Sequence, residues 1–148
     1  MKKNTIAFFI PLLFPSVTLS ALPLDQGAEK TRCYAGVDNR HDGENCLELE
    51  WKKSNRDVNH LVEKKIALIK SNPDFMERFN SKSDEVTGNV FKKQLLKSQN
   101  IWEEYKKEFC LAVASSIGEE GFDYQPTIEQ CEINMNKRRM EEINMMDE

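Results

Sequence analysis

SQNIWEEYKKEFC, residues 98–110, sets Trp102, Tyr105 and Phe109 three and four positions apart and ends on a cysteine. That spacing is the period of one helix face. Followed in both directions it collects Phe91, Leu95, Ser98, Trp102, Tyr105, Phe109 and Val113. Lys92, Lys93, Lys97, Glu103, Glu104, Lys106 and Lys107 fall on the opposite face. The pattern predicts an amphipathic helix from about 89 to 117, capped by Thr87 or Asn89 and stopped before Gly118.

The same period appears upstream. Leu47, Trp51, Ser54, Val58, Leu61, Val62, Lys65 and Ile69 form a stripe with Ser54 and Lys65 as its polar interruptions, which predicts a helix from about 45 to 70. Ser71 or Asn72 then caps a short turn with Pro73 at its first position, carrying Phe75 and Phe79. Residues 81–89 read as a loop. Downstream, GEEGFDYQP reads as a loop and Thr127 as the cap of a last helix over about 128–145. The segment 22–45, with GVDNRHDGEN inside it, is rich in turn formers and reads as irregular. No strand-like alternation and no internal repeat is visible. The expected fold is all-α: a small bundle of three main helices, with room for a short fourth.

So small a core is expected to need staples, and the chain carries four cysteines, Cys33, Cys46, Cys110 and Cys131. Its first residues supply the context. Lys2 and Lys3 precede the apolar run from Ile6 to Leu13, and Ser20 and Ala21 follow as small residues. That is the plan of a secretory signal peptide over residues 1–21, cleaved after Ser20 or Ala21 to leave a mature domain of residues 22–148. The apolar run is too short, and too interrupted by Pro11 and Pro15, to span a bilayer. No cysteine sits near the cleavage point, so no lipid anchor is expected. The expected location is the periplasm or the exterior.

An even cysteine count in a short exported chain predicts two disulfides. Zinc is the rival, but there is no C-x-x-C, and neither His41 nor His60 sits in a ligand-like pattern. Four cysteines allow three connectivities, and spacing alone does not choose among them. Cys110 and Cys131 flank a helix–loop–helix corner, and Cys33 and Cys46 would tie the polar N-terminal segment to the next helix. The expected pairs are therefore Cys33–Cys46 and Cys110–Cys131.

The full chain has a formal charge of −4, and loss of Lys2 and Lys3 makes the mature protein two units more negative. An acidic surface repels nucleic acid and attracts basic partners. No cofactor motif and no catalytic constellation is legible, so neither a cofactor nor an enzymatic role is expected.

These residues resemble the LprI-type lysozyme inhibitors, small exported helical domains of bacteria. The resemblance rests on Cys33 and Cys46 at a 13-position offset, on Val58 and Asn59 where the family has a Leu-Asn pair, and on Leu95, Gln99, Trp102 and Cys110 in the central helix. Cys131 followed by Arg138 and Arg139 completes it, over residues 33 to 142. Two positions depart from the family pattern: Asn55 stands where an Asp is usual, and Val62 where an aromatic is frequent. The resemblance implies a non-enzymatic protein that binds and inhibits lysozyme or a related peptidoglycan-degrading enzyme. The alternative is an immunity, adaptor or envelope-stress module with another protein partner. Oligomeric state is not legible.

Individual residues divide between scaffold and contact. Trp102 and Tyr105 are read as core, from their place in the stripe, rather than as contact anchors. Asn59 and Gln99, polar residues beside their stripes, are read as hydrogen-bonding across the bundle and fixing its register. His41 and Asp42 are read as solvated loop residues rather than a catalytic or metal pair. Glu119, Glu120 and Asp123 lie in the loop between Cys110 and Cys131. A loop pinned by a disulfide is pre-organised, so these three are the expected contact region for a basic partner.

Overall fold

The structure, a computed structural model, describes residues 23–82 and 84–147. The signal-peptide reading of residues 1–21 lies outside the described residues. The described residues form four helices in chain order: α1 (Ala28–Tyr34), α2 (Arg40–Ser71), α3 (Thr87–Ala114) and α4 (Tyr124–Asn144), with single 3₁₀ turns at Pro73–Phe75 and Met145–Asp147. Among the described residues the only β pairing is an isolated antiparallel bridge between Arg78 and Val86. The fold is the all-α bundle expected. Both expected disulfides are present, Cys33–Cys46 with Cα atoms 5.4 Å apart and Cys110–Cys131 at 5.6 Å.

The N-terminal segment is more ordered than its composition predicts. α2 begins at Arg40, not near 45, because Asn39 caps it. The Asn39 side chain accepts from Asp42 N at 3.0 Å, an N-cap bond, and its amide donates to Asp42 Oδ2 at 2.8 Å. His41 and Asp42 therefore sit in the first turn of a helix rather than in a loop. α1 is a helix where none was expected. Its own N-cap position, Gly27, offers no side chain. Gln130 of α4 does the capping instead, its Oε1 accepting from Lys30 N at 2.7 Å. Two ion pairs add to this, Lys137–Glu29 at 2.8 Å and Arg32–Glu50 at 2.7 Å. The α1–α2 approach is close. A Cβ on the buried Gly43 would lie 2.7 Å from the Tyr34 ring.

Boundaries of the later helices shift by a turn. Asn72 caps the 3₁₀ turn as expected, accepting from Asp74 N at 3.0 Å. Phe75 from that turn meets Phe91 edge to face at 5.9 Å. α3 begins at Thr87 with Val86 in the cap position, so neither Thr87 nor Asn89 is the cap, and it ends at Ala114. Gly118, with φ +80°, turns the chain away, a conformation that favours glycine. α4 starts at Tyr124, which places Thr127 inside the first turn rather than ahead of it.

α4 occupies the centre. Every residue from Pro126 to Ile133 is buried, against α1, α2 and α3. Its core runs in three clusters. Cys33, Leu47 and Ile133 form the first, and Cys110, Ala114, Ile128, Cys131 and Met135 the second. Val58, Val62, Leu95 and Ile143 form the third. Trp102 is half-buried and packs against both of the last two. A helix buried on all sides is normally apolar. α4 is not, and Gln130, Glu132 and Asn136 each bond to a neighbouring helix.

The face of α3 is rotated from the expected stripe. Leu95, Gln99, Lys106, Cys110 and Ala114 are buried, a line with steps of four, seven, four and four that leaves Tyr105 outside. Tyr105 is 53 % exposed, stacked on Phe109 at 5.5 Å. It is a surface residue, not core. Lys106, expected on the solvated face, is 2 % exposed.

Candidate functional site

The buried Lys106 explains itself through its partners. Its ammonium donates to Asn55 Oδ1 at 2.9 Å and Asn136 Oδ1 at 3.0 Å, and pairs with Glu103 Oε2 at 2.7 Å. It also lies 4.8 Å from the Trp102 ring centroid, in the range of a cation–π contact. An ammonium has three donors, and all three are used. Asn136 continues the chain of bonds, donating to Ser54 Oγ at 2.7 Å and Asn55 Oδ1 at 3.0 Å. The polar interruption at Ser54 is thereby accounted for. α2, α3 and α4 meet at this one point.

Gln99 and Trp102 come together with Arg139. Arg139 donates from Nε to Gln99 Oε1 at 3.1 Å and from Nη2 to Ser98 Oγ at 2.9 Å, with its guanidinium carbon 5.7 Å from the Trp102 ring centroid. Gln99 thus reaches across the bundle as its position beside the stripe predicts. Asn59 does not. It is exposed and lines a hollow of about 510 Å³ between α2 and α3 with Trp51, Glu104 and Lys107. The residue on α2 that does cross is Asn55, one turn earlier. The Lys106 and Arg139 bonds are scaffold: they run between helices of the chain.

A different region faces outward. The first turns of α2, the α3–α4 loop and the start of α4 enclose a cleft of about 500 Å³. Glu44 and Glu48, four residues apart on α2, share one face. Glu119 and Phe122 come from the loop, Gln125 and Glu129 from α4, and His41 completes the wall. Four carboxylates line the cleft and no lysine or arginine does. Glu44 is paired with Arg40 and Glu48 with Lys52 at 2.6 Å. Glu129 is only 6 % exposed, and among the described residues its one hydrogen-bond partner is the Gln125 amide at 3.1 Å. Burial holds the Glu129 carboxyl above the usual carboxylate range. The Gln125 bond opposes that, and the charges of Glu48, Glu132 and Glu44 reinforce it. Phe122 stands at the mouth, 81 % exposed, with the Arg40 guanidinium 4.9 Å from its ring centroid.

Of the expected contact residues, Glu119, Glu120 and Asp123 are all exposed on this loop, and Glu119 borders the cleft. Sequence reasoning missed Glu44, Glu48, Phe122 and Glu129. The Asn39–Asp42 cap was the available signal for the α2 pair, because it extends the helix back through Glu44. Among the described residues no group of three or more His, Cys, Asp or Glu is placed to hold a metal, and no helix is long and apolar enough to cross a membrane.

The outward feature of this disulfide-stapled helical scaffold is an acidic cleft. The profile for lysozyme inhibitor LprI matches residues 32–143. The chain belongs to the LprI lysozyme-inhibitor family. No curated protein and no solved structure matches it.

Proposed function

We propose that this protein is exported and acts by binding a basic, lysozyme-like peptidoglycan-degrading enzyme and occluding its substrate cleft, with Glu119, Glu120 and Asp123 in the contact. One observation carries the reading. The acidic loop is pinned at both ends by Cys110–Cys131 and lies beside the acidic first turns of α2, so the negative charge is concentrated on one pre-organised surface. Charge complementarity steers association and fixes register, and pre-organisation reduces the ordering cost of binding. Lysozymes carry catalytic carboxylates in a cleft on a mostly basic body. An acidic surface projecting from a rigid scaffold meets that body without supplying any chemistry of its own.

The test is a cell-wall lysis assay with several lysozyme types, using the oxidised mature chain, residues 22–148, beside its Glu119/Glu120/Asp123→Ala variant. Stoichiometric inhibition by the parent, weakened in the variant, is the expected result. Undiminished lysis by every lysozyme at micromolar protein would end this reading. Capture of a different partner from periplasm would then replace it.

A further inference from the structure

We propose that the cleft between α2 and the α3–α4 loop receives an arginine side chain of a basic protein partner, with the buried Glu129 carboxylate as anchor and the Phe122 ring as the surface it stacks on. The proposal rests on the inhibitor reading and deepens it, from a charged loop to a specific receptor.

Glu129 is the central observation. A buried carboxylate is costly without a counter-ion, and among the described residues Glu129 has none. Its surroundings increase the cost rather than relieve it, since Glu44, Glu48 and Glu132 all act on it as like charges. Of the cations nearby, Arg40 pairs with Glu44 through Nε, its buried Nη2 having no hydrogen-bond partner among the described residues, and Lys52 pairs with Glu48; neither pairs with Glu129. Glu132 takes the Trp51 indole N–H at 2.7 Å. The molecule thus holds one desolvated negative charge at the wall of an open cleft and leaves it uncompensated. An incoming cation is the ligand that reverses this.

Phe122 narrows the choice of cation. A large aromatic left 81 % exposed beside buried negative charge offers a face to a cation. The protein already displays this arrangement once, internally: the Arg40 guanidinium stacks on Phe122 while its Nε pairs with Glu44. A guanidinium is planar, weakly hydrated and donates in a fork, so it stacks and bonds a carboxylate together, as an ammonium does not. The cleft, at about 500 Å³, is within the size range of binding pockets.

Binding of a basic lysozyme to the oxidised mature chain, measured by isothermal titration, provides the test. Glu129→Gln keeps the shape and the Gln125 contact and removes the charge. Glu63→Gln, an exposed α2 position outside the cleft, changes net charge equally. The expected result is a loss of affinity of about 10-fold or more in Glu129→Gln, about 1.4 kcal/mol, with little change in Glu63→Gln. Equal behaviour of the two variants would overturn the proposal while leaving the inhibitor reading intact. If the parent binds no lysozyme, the inhibitor reading fails, and the cleft is judged on its own with N-acetyl-arginine methylamide as an NMR probe. Shifts confined to the amides of Phe122, Gln125 and Glu129, and lost in Glu129→Gln, would sustain it. No shifts in the parent, or self-association of the chain through this face, would overturn it.

Discussion

The ammonium of Lys106 lies 3.0 Å from the side-chain oxygen of Asn136, both buried, at the point where α2, α3 and α4 cross. An apolar core tolerates small sliding of one helix over another. A shared ammonium with three fixed acceptors does not, so this pair sets the register of the bundle.

Replacing Lys106 with Met keeps most of the volume and removes the donors. Asn136 is then left with a buried acceptor oxygen lacking its donor, while Asn55 Oδ1 keeps the Asn136 amide, at about 1–3 kcal/mol for a buried group deprived of its partner. Urea denaturation of oxidised Lys106→Met should show a loss of that size. A midpoint equal to the parent's would mean the network does not hold the helices.

Glu129 and Glu29 predict opposite pH behaviour. The Glu129 carboxyl holds its proton more tightly in the folded than in the unfolded state, so stability falls as pH rises from the ordinary carboxylate value through the raised folded one. Glu129→Gln should therefore be more stable than the parent at neutral pH, and the gap should close in acid. Burial pushes the Glu29 carboxyl up, but bonds from Lys137, its own backbone and Gln130 outweigh that and hold it below its ordinary value. Its contribution is present at neutral pH and lost as pH falls through the folded value. Thermal melts of Glu29→Gln and Glu129→Gln from pH 7 downward separate the two.

Gly43→Ala should destabilise although alanine is the better helix former. Its Cβ would meet ring carbons of Tyr34 at 2.7 and 2.8 Å. A rigid ring has little room to move, and overpacking of this kind costs about 1–3 kcal/mol. Combining it with Tyr34→Ala should remove the clash, so a double-mutant cycle that comes out additive would count against the contact.

Each disulfide should contribute about 2–4 kcal/mol. The Cys110–Cys131 ring, with a separation of 21 against 13, should contribute more than Cys33–Cys46 by about 0.4 kcal/mol from loop closure alone. Paired Cys→Ala variants compared by denaturation in the otherwise oxidised protein measure both.

What was legible in the sequence was what one helix encodes locally. The α2 stripe, the central helix, the Asn72–Pro73 start and the Cys110–Cys131 corner all follow from neighbours within a turn or two. What was not legible depends on distant partners. α1 is capped by Gln130, 100 positions from Lys30, so its own seven residues carry too little signal. Lys106 looks like a solvated lysine until α2 and α4 bring it Asn55 and Asn136. Tyr105 lies in a good apolar stripe, yet the buried line on α3 runs through Gln99 and Lys106 instead. The cleft combines carboxylates from both ends of the chain, and no window of sequence contains it.

The loop that carries Glu119, Phe122 and Asp123 lies wholly inside the ring closed by Cys110 and Cys131. An exposed loop is where a protease cuts first. A nick there would separate no fragment: the two new ends would remain parts of one covalent molecule, held where α3 meets α4. The surface most open to a partner is thus also one where a single cleavage leaves the chain in one piece, a useful property for a protein expected to work among the hydrolases outside the cytoplasm.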